Sequence, residues 1–321
     1  MKRIRVAILR GGPGHEHEVS LASGKNILEN LSDKYIPTDI FVAKDGSWYL
    51  DGVVVTPSKL FKHIDVVVNV MHGEHGEDGK IQRVMDHFGV KYTGSKSLAS
   101  ALGRNKLLSK NVFIKNNLKT PVHKVIKKGE DLEGIEHVIF RTFPMPAIIK
   151  PSNGSLSMGV SLVRTLKEIM PGIMKALEHS DTVIVEEFIN GKEATCGVIE
   201  NFRGESVYPL MPAQIVKSIV KDFLDHESKK SKILKQICPG NFDEKEKRVI
   251  QEMAKNAHKA LGLRHYSKMD FIVSPKRGVY LLEANTLPGL TKKSLFSQSL
   301  EAVGFNMPSF LDHVITLALE S

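Results

Sequence analysis

Apolar positions along the first 95 residues alternate between the spacing of buried strands and that of amphipathic helices. IRVAIL and DVVVNV are short, mostly apolar runs rich in β-branched residues, as in parallel strands that are covered on both faces. SLASGKNILENL and KIQRVMDHFG instead repeat apolar residues every three or four positions. The pattern predicts a βαβ unit, which binds ligands at the carboxyl ends of its strands.

The rest of the chain continues this mixture and predicts two further α/β segments. PAIIKP, GVSLV, TVIVEEFI and EATCGVIENF are strand-like, while SLASALGRNKLLSKNVFIKNN, LKEIMPGIMKALEH, EKEKRVIQEMAKNAHKALG and PSFLDHVITLALE have helical spacing. Residues 217–241 lack a clean period and carry many charges, which indicates a long mobile loop. We expect an α/β fold with three domains, at residues 1–95, 96–184 and 185–321.

Composition and charge narrow the class of partner. Hydrophobic residues make up 41% of the chain and charged residues 25%, as in ordinary soluble globular proteins. No apolar run approaches the roughly 20 residues of a membrane-spanning helix, so no membrane partner is expected. The net charge of +9 is compatible with nucleic acid, but the densest basic cluster, KKSKILK, has no aromatic residue for base stacking. Small anionic ligands are favoured over nucleic acid, and two cysteines without a CxxC pattern favour a reducing cytoplasm.

The segment DFIVSPKRGVYLLEAN predicts a β-hairpin, because two apolar runs flank a short turn with Pro and Gly. A turn centred on Lys276 and Arg277 places Asp270 opposite Glu283, with Asn285 two residues further on the same face. Opposed carboxylates repel each other unless a cation lies between them, and oxygen ligands suit Mg²⁺. A solvated hairpin face fits the fragment equally well, so both interpretations stay open.

A Gly/Ser-rich loop follows the strand PAIIKP. The stretch KPSNGSLSMGV can bend over a phosphate and offer it several N–H groups, or it can form a flexible surface turn. Lys106 and Lys150 are each compatible with a surface charge, but together with this loop and a metal site they fit a triphosphate clamp. Glu186 and Glu193, in VEEFINGKEA, could accept hydrogen bonds from an adenine amino group or a ribose, although strand-end glutamates are usually solvated.

Two other segments with glycine carry less specific signals. HGEHGEDG follows the strand DVVVNV, and its spacing fits no common zinc pattern, so a ligand-facing loop is favoured over a metal site. Gly289 lies in the turn LPGL, where its N–H could approach a developing oxyanion. From that fragment alone, a plain turn is the favoured interpretation.

Taken together, these motifs resemble those of the D-alanine–D-alanine ligases. GGPGHEHEVSLASG, HGEHGEDGKIQ, YTGSKSLASALGRNKLLSK, the KPSNGSLSMGV loop, VEEFINGKEAT and LLEANTLPGLTKKSL occur in the order seen in that family, over nearly the whole chain. The resemblance implies the three-domain ATP-grasp fold, with ATP and two Mg²⁺ or Mn²⁺ ions. It also implies a cytoplasmic enzyme, commonly a homodimer, that forms D-Ala-D-Ala through an acyl phosphate for peptidoglycan synthesis.

The resemblance also implies roles for individual residues. The residues at the phosphates, adenine and ribose of ATP would be Lys106, Lys150, Ser157, Glu186, Glu187, Ile189, Glu193 and Lys229. The metal ligands would be Asp270, Glu283 and Asn285. The residues that hold the two D-alanines or act on them would be Glu18, His72, Lys268, Gly289, Ser294 and Leu295. Glu18 would bind the ammonium group of the first D-alanine, and Lys268 and Gly289 would stabilise the oxyanion.

The chain departs from the family pattern where the active site closes. Leu156 replaces a serine whose hydroxyl links the lid loop to Glu18, and Lys230 replaces a tyrosine of the same link. Lys268 replaces an arginine and loses its planar fork. These changes predict a poorly latched lid and a slow enzyme. Two alternatives stay open: a ligase with D-lactate or D-serine as the acceptor, and a non-catalytic ATP-binding module.

Overall fold

The computed structural model describes residues 3–216 and 235–321. The strands are β1 (Ile4–Gly11), β2 (Tyr35–Val42), β3 (Trp48–Leu50), β4 (Val53–Val54), β5 (Val66–Asn69), β6 (Lys91–Tyr92), β7 (His123–Lys127), β8 (Ala147–Pro151), β9 (Ser161–Val163), β10 (Thr182–Glu187), β11 (Lys192–Phe202), β12 (Glu205–Pro209), β13 (Ala213–Val216), β14 (Lys235–Ile237), β15 (Tyr266–Ser274) and β16 (Gly278–Asn285). The helices are α1 (His17–Asn30), α2 (Pro57–Leu60), α3 (Lys80–His87), α4 (Ser97–Arg104), α5 (Lys106–Lys115), α6 (Ile135–Thr142), α7 (Leu166–Leu177), α8 (Glu244–Ala260), α9 (Leu295–Ala302) and α10 (Met307–Glu320).

The first sheet has the strand order β4-β3-β2-β1-β5-β6. Strand β1 runs parallel to β2 and β5, and β5 runs parallel to β6, which confirms the predicted βαβ unit. Both β1 and β5 are buried along most of their length because helices cover the two faces. The loops after β1 and β5 therefore leave the same edge of the sheet side by side.

The second sheet is antiparallel, in the order β7-β10-β8-β9, and its two faces differ in chemistry. Ile149 and Val183 face α6 and α7 within one apolar cluster. Because side chains alternate along a strand, Lys150 and Glu186 point to the other face. The predicted domain boundary after residue 184 falls inside β10, whose last residues pair with β8.

The third sheet is also antiparallel, in the order β14-β13-β11-β15-β16, with β12 beside β11. Helix α8 covers one face of it with apolar side chains. Strand β14 corrects part of the predicted loop 217–241, because residues 235–237 pair with β13. Residues 217–234, with Lys229 and Lys230, lie outside the described residues.

The hairpin of β15 and β16 confirms the predicted pairing of Asp270 with Glu283, but by another route. Next to the turn, Ser274 pairs with Gly278, a register that would bring Asp270 opposite Leu282. A β-bulge beside Asp270 inserts Leu282 as an extra residue and shifts the pairing by one. The bulge also turns Glu283 to the sheet face that Asp270 occupies, away from α8.

The predicted helix SLASALGRNKLLSKNVFIKNN is two helices, α4 and α5, with a break at Asn105. The Asn105 side chain accepts a hydrogen bond from Leu108 N at 3.0 Å and so caps the start of α5. Lys106 is the first residue of α5, and its N–H donates to Ser152 O at 2.8 Å. The break thus ties Lys106 to the loop that follows β8.

The first sheet shares an apolar core with the end of the chain. Val6 and Ile8 of β1 belong to the same cluster as Phe296 of α9 and Phe310 of α10. Within residues 3–216 and 235–321, no single helix has the length and apolar composition to cross a membrane. Helices α9 and α10 have that length and composition only when taken together, and the pair is bent by 99°.

Candidate active site

A cavity of about 380 Å³ lies where the second and third sheets face each other, and loops of the first sheet reach its edge. Many residues that the sequence assigns to ATP, the metal and the oxyanion line it: Lys106, Lys150, Ser157, Glu186, Glu187, Ile189, Glu193, Lys268, Asp270, Glu283 and Asn285. Carboxylates outnumber cationic side chains in this lining. A divalent cation would correct that imbalance when a polyphosphate binds.

The loop 151–160, which we call the lid loop, forms one wall of the cavity. Lys106 Nζ donates to Gly154 O at 3.0 Å and holds the loop to the start of α5. Leu156 and Ser157 have φ angles of 54° and 58°, a left-handed conformation that costs energy in residues with a Cβ. Leu156 is half-buried and lines the cavity, so the strained turn aims its side chain inward.

Glu186 lies between two lysines at the cavity wall. Lys150 Nζ and Lys110 Nζ are 2.9 Å and 3.1 Å from the same oxygen, Oε1. Neither contact has the angles of a hydrogen bond, so both are ion pairs. Burial alone would raise the pKa of Glu186, but the charges of Lys150 and Lys110 more than offset it and leave that pKa below its ordinary value. Sequence reasoning missed Lys110, whose position four residues after Lys106 on a helix is its only local signal.

The paired carboxylates of the hairpin each contact a lysine. Lys268 Nζ donates to both oxygens of Asp270, at 2.8 Å and 2.9 Å, and Lys106 Nζ is 3.0 Å from Glu283 Oε2. Burial would lower the pKa of Lys268, but the Asp270 and Glu283 carboxylates raise it above its ordinary value. Asn285 Oδ1 accepts from Leu287 N at 2.9 Å and retains a second lone pair. The two lysine ammonium groups thus neutralise the repulsion that the sequence predicts.

This donor set fits a divalent cation. Asp270, Glu283 and Asn285 offer only oxygen atoms, lie on adjacent strands and face one cavity, as Mg²⁺ and Mn²⁺ require. Within the part of the chain that the structure describes, no group of three or more His, Cys, Asp or Glu residues is placed to hold a metal. The site therefore depends on two carboxylates and an amide, with further oxygens coming from a ligand.

Two glutamates that the sequence did not single out, Glu16 and Glu77, line the edge of the cavity. Glu77 Oε2 accepts from Arg104 Nη1 at 3.1 Å, and the Ser155 hydroxyl of the lid loop lies beside Glu16, where it favours the ionised carboxylate. Burial and the Glu77 charge raise the pKa of Glu16, while Ser155, His72 and Arg104 oppose part of that rise. A hydroxyl of the lid loop, one residue before the leucine, thus lies against the first domain.

The structure does not bring Glu18 to the cavity. Glu18 is exposed in the first turn of α1, whereas Glu16 precedes that helix and faces the lid loop. Positions two apart at a helix start point to different sides. Glu16, and not Glu18, is therefore placed beside the lid loop, and only the position where α1 begins could have distinguished them.

His72 is buried beside the cavity and does not line it. Its Nδ1 lies 3.0 Å from Leu287 O, and its Nε2 lies 2.9 Å from Ser23 Oγ. Ser23 Oγ in turn accepts from Leu290 N at 3.3 Å. The His72 and Ser23 side chains therefore hold both ends of the turn that contains Gly289.

Gly289, Ser294 and Leu295 do not line the cavity either. A Cβ added to Gly289 would meet Ser294 Cβ at 3.9 Å, an ordinary contact, so packing does not demand glycine there. Ser294 caps α9, since its Oγ accepts from Ser297 N at 3.2 Å. Their assignments to the oxyanion and the second D-alanine stay predictions.

Two family models match the chain. One, described as D-ala D-ala ligase N-terminus, matches residues 5–59 and 51–95, and the other, D-ala D-ala ligase C-terminus, matches residues 115–316. The D-alanine–D-alanine ligase of Desulfotalea psychrophila is 35% identical over 323 residues, which cover 99% of this chain and 96% of that protein. That of Geobacter sulfurreducens is 33% identical over 321 residues, which cover 99% of this chain and 95% of that protein.

Solved structures with the same architecture span the whole chain. The VanG D-Ala:D-Ser ligase of Enterococcus faecalis is similar with a TM-score of 0.87 and 28% identity, over 99% of this chain and 100% of that chain. The D-alanine-D-alanine ligase of Coxiella burnetii has a TM-score of 0.86 and 24% identity, over 100% and 95% of the two chains. These neighbours have the ATP-grasp fold, which confirms the predicted fold class.

Proposed function

The chain belongs to the D-alanine–D-alanine ligase family, and on that premise we propose how its cavity joins two D-alanine molecules at the expense of ATP. It is an ATP-dependent ligase that forms D-Ala-D-Ala for peptidoglycan synthesis, as the motifs implied. One observation carries the assignment of the cavity: Lys106, Lys150 and Lys268 converge there with the Asp270–Glu283 pair. That arrangement suits a polyphosphate and a divalent cation.

We assign ATP to the space between the second and third sheets. The ammonium groups of Lys106 and Lys150 would neutralise phosphate charge beneath the lid loop, as both line that wall. The base and ribose would lie deeper, where β10 and β11 meet. The Ser157 hydroxyl would contact the phosphates. The residues that would contact the base and the ribose are Glu186, Glu187, Ile189 and Glu193. A phosphate contact by Lys229 stays a prediction.

We assign the divalent cation to Asp270, Glu283 and Asn285. When bound, it would neutralise charge on the phosphoryl group that is transferred. Lys106 and Lys268, which pair with Glu283 and Asp270, would then be free to face the substrates. Mg²⁺ or Mn²⁺ fits the oxygen donors, and the presence of two ions stays a prediction.

We assign the ammonium group of the first D-alanine to Glu16 rather than Glu18. Glu16 lies at the edge of the cavity beside Glu77, and a bound ammonium would relieve the repulsion between these two carboxylates. A hydrogen bond from the nearby Ser155 hydroxyl to Glu16 would couple the position of the lid loop to this substrate. His72 would act by holding the Gly289 turn.

The chemistry then follows in two steps. A carboxylate oxygen of the first D-alanine attacks the γ-phosphorus of ATP, so ADP leaves and an acyl phosphate forms. The amine of the second D-alanine attacks the acyl carbon, and phosphate leaves with the carboxylate oxygen. Lys268 and the Gly289 N–H would stabilise the oxyanion, and the lid loop would exclude water that hydrolyses the acyl phosphate.

Compartment and assembly follow from the activity only as proposals. We place the reaction in the cytoplasm, where ATP is supplied, and Cys196 and Cys238 are free thiols as a reducing compartment requires. The homodimer implied by the motifs stays a prediction that a mass measurement in solution would check. The expectation that the chain binds no nucleic acid also stays a prediction.

A panel of acceptors tests the proposed function. Phosphate release and product are measured with ATP, Mg²⁺ and D-alanine, and again with D-serine or D-lactate as the second substrate. D-Alanine-dependent phosphate release with D-Ala-D-Ala as the main product supports it. ATP binding without D-alanine-dependent release would contradict it, and a preference for D-serine would place the chain with ligases such as VanG.

A further inference from the structure

The two lysines that contact Glu186 differ in their access to the cavity. Lys150 lines the cavity, so its ammonium can reach a ligand there. Lys110 is 0% exposed and lies behind Glu186, outside the lining. One carboxylate is therefore shared by a cation that a ligand can reach and a cation that it cannot.

Lys110 is fixed in place by the segment between α5 and β7. Its Nζ donates to Thr120 Oγ1 at 2.6 Å and to Pro121 O at 3.3 Å. Its third contact is the ion pair with Glu186 Oε1 at 3.1 Å, and none of Lys110 is exposed. Lys110 therefore cannot reach a ligand in the cavity.

The charges of this group do not balance. Burial lowers the pKa of Lys110 to about 8, so it remains mostly protonated at neutral pH. Glu186 is ionised, Glu187 lies near Lys110, and burial together with the Lys110 charge lowers the pKa of His123. Glu187 is already paired with Arg277 Nη1 at 2.6 Å, so Glu186 alone serves both lysines and neutralises only one of them. The second positive charge, on Lys150, is available at the cavity wall.

We propose that Lys110 is a positioning residue that acts as the permanent counter-ion of Glu186. It holds that carboxylate as an anionic acceptor for the purine amino group and leaves Lys150 free to move to the phosphates. Without Lys110, the departure of Lys150 would strand an unpaired buried carboxylate, which is strongly unfavourable. This proposal rests on the proposed function, in which Glu186 contacts adenine and Lys150 contacts phosphate.

A consequence for nucleotide choice follows from hydrogen-bond chemistry. An ionised carboxylate accepts from the 6-amino group of ATP but has no proton to donate to the 6-carbonyl of ITP. ATP is then preferred over ITP. If Lys110 is lost, Glu186 either retains Lys150 or takes up a proton, and both responses weaken the preference.

The test compares ATP and ITP dissociation constants, measured by calorimetry without D-alanine, in the parent, Lys110→Met and the control Thr120→Val. We expect Lys110→Met to weaken ATP binding roughly tenfold to a hundredfold, because a hydrogen bond to a charged group is lost, and to weaken ITP binding less. The KM for D-alanine should not change. Thr120→Val, which retains the Lys110 charge, should keep the parent's preference. A Lys110→Met variant with the parent's ratio of ATP to ITP affinity would overturn the proposal.

Two further variants keep the result interpretable. Lys110→Gln retains a donor for Thr120 without the charge, and it replaces Lys110→Met, with the same expectation, if that variant does not fold. Glu186→Gln tests the premise that Glu186 contacts the purine. If this variant keeps the parent's preference for ATP over ITP, the purine contact and the role of Lys110 are both contradicted. If Glu186→Gln loses the preference and Lys110→Met keeps it, only the role of Lys110 falls. D-Alanine-dependent phosphate release by the parent reports separately on the proposed function.

Discussion

Glu16 and Glu18 are two residues apart, yet they differ in every property that matters for binding a substrate. Glu16 lies at the cavity beside Glu77 and the Ser155 hydroxyl, while Glu18 is exposed on α1. A carboxylate with a raised pKa is poised to gain from an incoming cation, because the cation favours its charged form. At this scale, neighbours within hydrogen-bonding distance decide function, rather than the motif in which a residue lies.

This difference predicts the outcome of a matched pair of substitutions. Glu16→Gln should abolish or strongly reduce D-alanine-dependent ligation while leaving ATP binding in place, because it removes the charge that would hold the first ammonium group. Glu18→Gln should change neither property. Steady-state phosphate release and calorimetric ATP titration measure both. Equal effects in the two variants, or a larger effect at Glu18, would contradict the assignment.

The lid loop illustrates why residue roles on the D-alanine side could not be predicted. The sequence motif places Leu156 where a serine is expected, which predicts a lost link. In the structure the chain has left-handed φ angles at 156 and 157, and the preceding Ser155 lies beside Glu16. A local motif does not encode such a turn, whereas the lysines and carboxylates of the ATP side keep the spacing of regular strands and helices.

At the scale of elements, the β15–β16 hairpin owes its metal-binding face to one bulge. Leu281 and Ala284 both face the apolar cluster under α8, although strict alternation would separate them. The extra residue between them turns Glu283 towards Asp270. The sequence predicts the pairing of these carboxylates from a turn centre that lies half a residue away from the observed one. The bulge compensates for that difference, so the predicted pair is still formed.

The hairpin predicts how metal binding depends on Glu283. Glu283→Gln should weaken Mn²⁺ binding in the presence of ATP at least about tenfold, because it removes a charged ligand. The control Glu205→Gln, at an exposed position of β12 in the same sheet, should bind like the parent. Electron paramagnetic resonance of free Mn²⁺ gives both affinities without any turnover. Unchanged affinity in Glu283→Gln would remove Glu283 from the metal site.

At the scale of the whole molecule, the first and third sheets are joined through buried contacts that the sequence pattern does not reveal. His265 is 2% exposed, and its Nδ1 accepts a hydrogen bond from Gly94 N at 3.1 Å. The backbone N–H of His265 donates to Glu200 Oε2 at 2.6 Å. Hydrophobic periodicity assigns helices and strands one at a time. It therefore predicted three α/β segments but not the core that the first segment shares with α9 and α10.

The His265 contact predicts a pH dependence of stability. Burial and the Arg264 charge lower the pKa of His265 to about 3, below the value of about 6.5 for an unfolded chain. The unfolded state therefore binds this proton first, and the free energy of unfolding falls as the pH drops below about 6.5, by about 1.4 kcal/mol per unit. His265→Asn, which tolerates the left-handed φ of 65°, lacks this contribution.

Chemical denaturation at pH 7.5 and pH 5.0 checks this prediction. Between these values the free energy of unfolding of the parent should fall by about 2 kcal/mol more than that of His265→Asn. The effect begins only below about pH 6.5 and therefore extends over about 1.5 pH units. Carboxylates elsewhere affect both proteins alike. Parallel losses in the two proteins would show that His265 is already free to take up a proton in the folded state.

The central claim is that this one cavity phosphorylates the carboxylate of D-alanine before the peptide bond forms. Transfer of oxygen-18 tests it most directly, with D-alanine labelled in both carboxylate oxygens, ATP and Mg²⁺. If an acyl phosphate forms, one labelled oxygen appears in the inorganic phosphate for each D-Ala-D-Ala produced. Phosphate that carries no oxygen from D-alanine, while dipeptide accumulates, would contradict the account.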